Sequence, residues 1–266
     1  MSSHPQDLGL SGASLVAPPR GGMQPAQAWR MLHRAASAPY RRCGPFTWHF
    51  ARGKLKHDPV FRALLARAAI APGARVLDIG CGQALLASLL AACEALAAAH
   101  RWPAIWGPPP TATRYSGIEL MPRDVARAEQ ALSDLPSRPT LLCGDMRQAA
   151  FAPCDLVVIL DVLHYVDVAA QDDVLARVRL ALAPGGRLLL RVGDASQRVR
   201  FGISRWVDHV VTLVRGHGEP PTYARTLDQW RVALQRLGFT VRAWPMSQGT
   251  PFANVLLVCD LPGAST

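Results

Sequence analysis

No stretch of this chain stays apolar for the roughly 18 to 20 residues that a membrane-spanning helix requires. Ala84 to Ala99 is broken by Glu94, and Leu156 to Leu163 is of strand length. The N-terminus has no basic region leading into an apolar stretch, so a secretory signal is not expected and a cytoplasmic location is. The six cysteines form no C-x-x-C pair and no histidine stands near them at ligand spacing, which excludes a zinc frame and gives no support to a disulfide framework. No metal site is expected; the thiols read as small buried side chains. Internal repeats are also missing at the usual solenoid periods. Acidic residues are scarce, 19 against 29 Lys and Arg. Residues 1–60 hold eight basic residues against two acidic ones, 195–245 eight against three, and the remainder thirteen against fourteen. The net charge of +10 therefore sits on two flanking segments, a positive rim able to attract an anionic substrate or an acidic partner, or simply a solvated basic face.

What is present fits one well-buried domain with a decorated entrance, since half of the 266 residues are apolar. Residues 1–26, rich in Ser, Gly, Pro and Gln, lack the apolar surface to offset ordering entropy and are expected to be a disordered tail. A helical cap follows over 27–71, with helical spacing from Ala28 to Ala36 and from Asp58 to Ile70. From residue 72 to 262, short apolar runs alternate with amphipathic stretches, the pattern of a parallel sheet wrapped by helices. Strands are expected at Arg75–Ile79, Arg114–Ile118, Pro139–Cys143, Leu156–Leu160, Gly186–Val192, Thr240–Pro245 and Ala253–Cys259. Helices are expected at Leu85–Ala99, Arg123–Ser133, Val168–Leu182, Gln197–Val214 and Thr226–Leu237, with an insertion over His100–Thr113. The fold class is α/β: a seven-stranded, mainly parallel, doubly wound sheet whose last strand runs antiparallel, with a lid over 195–238 between strands 5 and 6.

The chemistry starts at Val76-Leu77-Asp78-Ile79-Gly80-Cys81-Gly82-Gln83, two glycines placed between a buried strand and a helix. Without Cβ atoms, Gly80 and Gly82 let the backbone turn sharply against a nucleoside-like ligand at the sheet's C-terminal edge. A dinucleotide fingerprint needs a third glycine where this chain has Leu85. Asp78 would sit poorly beside a diphosphate but well near a cationic sulfonium. These residues resemble the first motif of the class I (Rossmann-like) S-adenosylmethionine-dependent methyltransferases, an acidic residue followed by x-G-x-G-x-G, with Ala84 in place of the third glycine.

The resemblance runs over roughly residues 72–260 and implies S-adenosyl-L-methionine as cofactor. It places Gly80, Cys81, Gly82 and Gln83 against the aminoacyl side with Asp78 in support. Glu119 and Leu120 at the end of the second strand fall to the ribose, and Asp145 and Met146 to the adenine. Glu119 follows Gly82 by 37 residues, where about twenty is usual, and the His100–Thr113 insertion accounts for most of the excess.

Asp161-Val162-Leu163-His164-Tyr165 ends the fourth strand, which in that class faces the transferable methyl group; Asp161 is counted with the cofactor site. The [DNS]-P-P-[YF] motif used on amide or base nitrogens is missing, so no specific nucleic-acid partner is expected. His164 is the candidate general base, near enough to neutrality to take a proton from a phenol, and Tyr165 a residue that orients the acceptor; packing roles are open for both. Arg52 and Lys54 are candidates to close over the cofactor carboxylate. The lid's apolar stripe includes Trp206 and is interleaved with arginines, a pattern that suits an acceptor pocket, a partner or peripheral membrane contact as well as a core. Trp206, Tyr223 and Arg225 are the candidate acceptor residues.

Phe50-Ala51-Arg52-Gly53-Lys54-Leu55, Asp58-Pro59-Val60-Phe61 and Gly249-Thr250-Pro251-Phe252-Ala253-Asn254-Val255-Leu256-Leu257 are similar to segments of bacterial methyltransferases associated with aryl polyene or xanthomonadin-type pigments. That narrower resemblance implies C- or O-methylation of a small aryl or acyl acceptor, either free or carried on an acidic acyl carrier protein, which a basic rim would steer. An RNA methyltransferase, a nicotinamide-dependent enzyme and a non-catalytic cofactor-binding partner of a synthase complex are the competing readings.

Overall fold

In a computed structural model, the described residues are 23–193, 223–246 and 254–263. The expected Gln197–Val214 helix, Trp206, most of the lid and nearly all of the expected tail lie outside them.

The seven strands are β1 (Arg75–Ile79), β2 (Arg114–Glu119), β3 (Thr140–Cys143), β4 (Cys154–Leu160), β5 (Leu182–Gly193), β6 (Thr240–Pro245) and β7 (Asn254–Asp260). They form one sheet in the order β3-β2-β1-β4-β5-β7-β6. The first five pair in parallel, and β7 runs antiparallel to both β5 and β6. β1 and β4 are near-continuous apolar runs because both faces of a central parallel strand are covered. Strand order reverses beyond β1, between it and β4, and that reversal is where open α/β sheets present ligands at their strands' C-terminal ends.

The α-helices among the described residues are α1 (Pro25–Ser37), α2 (Pro45–His57), α3 (Pro59–Ala66), α4 (Leu85–Ala98), α5 (Pro122–Leu132), α6 (Val168–Ala181) and α7 (Leu227–Arg236). Proline stands in the first turn of α1, α2, α3 and α5, where its missing N–H is one of the groups a helix start leaves unpaired. Asp58 caps α3 by accepting from Val60 N, Asp167 caps α6 through Ala170 N, and Thr226 with Gln229 closes a reciprocal capping box on α7. One face of the sheet packs under α1, α3, α4 and α5 in a core that includes Leu32, Leu64, Leu89 and Val158; the other packs under α6 and α7 around Val174, Leu190 and Trp230.

Three details depart from the sequence reading. Helix α1 begins at Pro25, inside the stretch expected to be disordered. Helix α2 lies inside the expected helical cap but outside its two stretches of helical spacing, because it buries only Thr47, Ala51 and Leu55, a stripe one residue wide on an otherwise basic helix. Strand β5 starts at Leu182 and not at the expected Gly186, with Pro184-Gly185-Gly186 forming a register shift within it. Gly185 there has φ +74 and donates to Pro262 O, and a Cβ on Gly186 would fall 2.7 Å from Ala183 O. The insertion is ordered: Trp106 is buried, Trp102 meets it edge-on at 5.4 Å, and the Trp102 indole N–H donates to Gly107 O.

Candidate active site

The loop after β1 is built by backbone geometry first. Gly80 and Gly82 both take positive φ, +74 and +55. A Cβ on Gly80 would lie 2.6 Å from the Val162 side chain, so only glycine fits between the first and fourth strands' exits. Ala84, which stands at the motif's third glycine position, also adopts the left-handed conformation, φ 53 and ψ 43, at the start of α4. The loop therefore keeps its glycine-like turn without the glycine. Such a conformation costs a non-glycine residue of order 1–3 kcal/mol, which burial of the Ala84 methyl partly offsets.

Glu119 at the end of β2 holds this loop from the side. Its carboxylate accepts Gly82 N at 2.8 Å and Met121 N at 2.9 Å, while the Gly80 and Cys81 amides donate to Ile118 O. Burial raises the Glu119 carboxyl above its ordinary range, against the pull of those amides. Gln83 is buried; its Nε2 donates to Asp124 Oδ1, and its backbone carbonyl accepts the Tyr40 hydroxyl at 2.7 Å. Leu120 is exposed at the crevice side of β2.

Asp78 lies beneath the loop, 5 % exposed, with the Tyr115 hydroxyl donating to its Oδ2 at 2.7 Å. Burial pushes its carboxyl up to about 7, with the Tyr115 hydrogen bond acting in the opposite sense and the Glu119 charge adding to the rise. The Cys81 thiol is likewise pushed up, by burial and then by the charges of Asp78 and Glu119, so it is no thiolate nucleophile.

Asp145 follows β3 and is gripped by Arg147, which donates from its backbone amide, Nε and Nη2; this fork holds its carboxyl below the usual range. Met146 O accepts from Arg177 Nη2. A carboxylate has about four lone-pair sites, so Asp145 can still accept an amino group.

Asp161, in the left-handed region at φ 60, belongs to a buried charge cluster that sequence reading did not find. Arg191 of β5, 3 % exposed, donates to both carboxylate oxygens of Asp161 and to both of Asp58, the cap of α3. Lys54 pairs with Asp58 at 2.9 Å and reaches Asp161 at 4.0 Å. Burial alone would raise the Asp58 carboxyl, but Arg191 and then Lys54 outweigh it and lower it to about 2. Lys54 is thereby committed to this cluster, whereas Arg52 stacks over Trp48 at 5.5 Å.

His164 and Tyr165 sit on a short turn after β4, their rings 4.2 Å apart. His164 is partly buried, and burial lowers its imidazole below the ordinary value, the Asp161 charge opposing. Its carbonyl accepts Tyr223 N at 2.9 Å, and Tyr223 O accepts from the buried Gln171 side chain, so Tyr223 is held beside His164 by the backbone with its own side chain partly exposed. Arg225 points elsewhere. Its guanidinium donates to Asp172 and Val168 O on α6 and stacks on Trp230, which makes it an anchor for α7 and not a free cation for an acceptor. Among the described residues no group of three His, Cys, Asp or Glu side chains could hold a metal, and no helix is long and apolar enough to cross a membrane.

A glycine bend at the sheet's reversal point, a carboxylate at the end of the next strand and an acid after the third define a Rossmann-like nucleoside-binding domain. A family described as "Methyltransferase domain" matches residues 47–243, most of the chain, and the protein belongs to that family. The chain is 33% identical over 129 residues to the carboxy-S-adenosyl-L-methionine synthase of Chromohalobacter salexigens, a match covering 48% of this chain and 43% of that relative, less than half its length. Solved structures share the fold at low identity. The pyocyanin biosynthetic protein PhzM has a TM-score of 0.55 at 19% identity, over 84% of this chain and 60% of that one. Magnesium protoporphyrin IX methyltransferase from Synechocystis, with bound SAH, has a TM-score of 0.53 at 19% identity, over 90% of this chain and 100% of that one. The mitomycin 7-O-methyltransferase MmcR has a TM-score of 0.51 at 19% identity, over 88% and 68%.

Proposed function

We propose that this enzyme methylates carbon or oxygen of a small phenolic or aryl acceptor in the cytoplasm, in a pigment or polyketide-like pathway, with the acceptor free or carried on an acidic acyl carrier protein. The observation that carries the reading is His164: an imidazole at the exit of β4, kept neutral by burial, able to take a proton from a weak acid such as a phenol. O-methyltransferases among the fold's neighbours and the basic N-terminal segment support the same reading.

When bound, S-adenosylmethionine supplies a methyl group on a sulfonium, open to in-line displacement. The residues present fit it. Glu119 would offer its carboxylate oxygens to vicinal ribose hydroxyls, Gly80 to Gln83 would face the aminoacyl end with Asp78 in support, and Asp145 and Met146 would hold the adenine. Asp161, locked by Arg191, fixes the backbone from which His164 and Tyr165 project. Those two, with Tyr223 beside them, align the acceptor and exclude water, which are the main demands of such a displacement.

The test is incubation with labelled S-adenosylmethionine and a panel of free and carrier-linked hydroxyaryl acids. Label transferred to an aryl acceptor is the expected result. Affinity for S-adenosylhomocysteine with no transfer to any member of the panel would leave a non-catalytic partner of a synthase complex as the better reading. Copurifying nucleic acid with steeply salt-dependent binding would favour an RNA substrate.

A further inference from the structure

The cap holds a feature that the methyl-transfer site does not use. From Met23 to His57 there are seven Lys and Arg residues and no acidic one. Arg42 finds Asp134 and Lys54 finds Asp58. Among the described residues Arg34, Arg41 and Arg52 find no carboxylate; instead, with Ser37 and Trp48, they line a cleft of about 250 Å³ between α1, the turn after it and α2. None of the five lining residues comes from a strand end or from the glycine loop.

The indole of Trp48 carries Arg41 at 5.0 Å and Arg52 at 5.5 Å from its ring centroid. Such a cation–π contact attracts the guanidinium charge without supplying a hydrogen-bond acceptor for its N–H donors. Among the described residues none of the three guanidiniums donates a hydrogen bond to protein, while the Ser37 hydroxyl is turned to Arg34 O. Three cations held together without counter-charge repel one another; the nearby buried His33 registers the same field, its imidazole lowered first by burial and then by Arg34 and Arg52. An anion relieves that repulsion. Three forks suit a tetrahedral, multiply charged group better than a two-oxygen carboxylate. The volume is below the roughly 300–1,000 Å³ of a pocket for a whole drug-sized ligand, so the cleft suits a small anion or the charged end of a larger molecule.

We propose that the Arg34–Arg41–Arg52 cleft is a binding site for the phosphoryl group of a phosphate ester, separate from the cofactor crevice. The proposal does not depend on which acceptor is methylated.

The experiment is calorimetric titration of the full chain at constant ionic strength with phenyl phosphate, with benzoate as the carboxylate comparator and sodium chloride as the control. Phenyl phosphate is expected to bind at least several-fold more tightly than benzoate. Each Arg→Gln substitution (R34Q, R41Q, R52Q) is expected to weaken it about tenfold, the loss of one charged hydrogen bond, with S-adenosylhomocysteine affinity unchanged in R34Q and R41Q. Trp48→Ala, which removes the platform, is expected to weaken it as well. Flotation with phosphatidic acid vesicles separates the sources: capture that requires the three arginines and is competed by phenyl phosphate supports the site and assigns its phosphoryl group to a lipid, and no capture supports it and assigns a soluble ester. Binding no stronger than benzoate's, or indifferent to all three substitutions, overturns the proposal. So does a parallel loss of S-adenosylhomocysteine affinity in R34Q and R41Q, which would merge the cleft with the cofactor site. Tighter binding of a single-stranded oligonucleotide than of phenyl phosphate, with a steep salt slope, also overturns it.

Discussion

The side-chain carboxylate of Glu119 accepts the backbone N–H of Gly82 at 2.8 Å, so the end of β2 holds the apex of the glycine loop although 37 residues separate the two in sequence. One group thus both shapes the loop and faces the crevice. Glu119→Ala is expected to weaken S-adenosylhomocysteine by about 10- to 100-fold, the scale of one or two hydrogen bonds to a charged group. Glu119→Gln, which keeps an acceptor, should lose less. Calorimetry checks both, and unchanged affinity in the alanine variant would remove Glu119 from the cofactor site.

Asp78 is expected to make stability and cofactor preference depend on pH. Its folded-state value of about 7 lies above the ordinary carboxylate value of 3.8, so the folded chain holds a proton that the unfolded chain has lost between those limits. This contribution therefore declines as pH rises from about 4 to about 7 and is constant above. Asp78→Asn should remove that slope in chemical denaturation. Above pH 7 the ionised carboxylate should favour the cationic S-adenosylmethionine over neutral S-adenosylhomocysteine, and the asparagine variant should show no such change in their affinity ratio.

His164, lowered by burial, is expected to place the acidic limb of the rate profile below the ordinary imidazole value of 6.5, with turnover flat above it. His164→Ala should cost about 10²- to 10⁴-fold in kcat and erase that limb, while cofactor affinity holds. Full turnover at every pH in the variant would end its role as base and favour an acceptor that arrives already ionised.

Arg191→Met should be among the most destabilising single substitutions, because it leaves Asp58 buried with Lys54 as its one remaining cation among the described residues. The expected loss is about 3–5 kcal/mol by urea denaturation. Asp58, with its folded value depressed to about 2, contributes stability that is complete above about pH 4 and is lost as pH falls toward 2. The Met variant should be less sensitive to acid over that window, and adding Asp58→Asn should recover part of the loss.

What could be read from sequence was what is local. Arg75–Ile79 and the two glycines after it are a strand and a turn written in consecutive residues, and Glu119 stands at the end of the next apolar run. Thr240–Pro245 was equally clear. What escaped is pairwise and distant. Tyr115 meets Asp78 across 37 residues, Tyr40 meets Gln83 across 43, and Asp58 meets Arg191 across 133. Nothing in Asp58-Pro59 beyond a helix start announces that its carboxylate also closes a charge cluster under the crevice. Arg225 is a similar case, since the Asp172 carboxylate that its guanidinium meets lies 53 residues earlier, on α6. Ala84 is the converse case: a residue that breaks the motif on paper takes up the conformation the motif needs.

The long reach of the Asp58–Arg191 pair has a consequence for biogenesis. The chain is synthesised from its N-terminus, so Asp58 emerges 133 residues ahead of the guanidinium that neutralises it. At translation speeds of about 5–20 residues per second, that interval is roughly 7 to 27 s. Through that interval Lys54 is the cation of the cluster already made, and the pairing of Asp58 with Arg191 closes only once β5 has been synthesised.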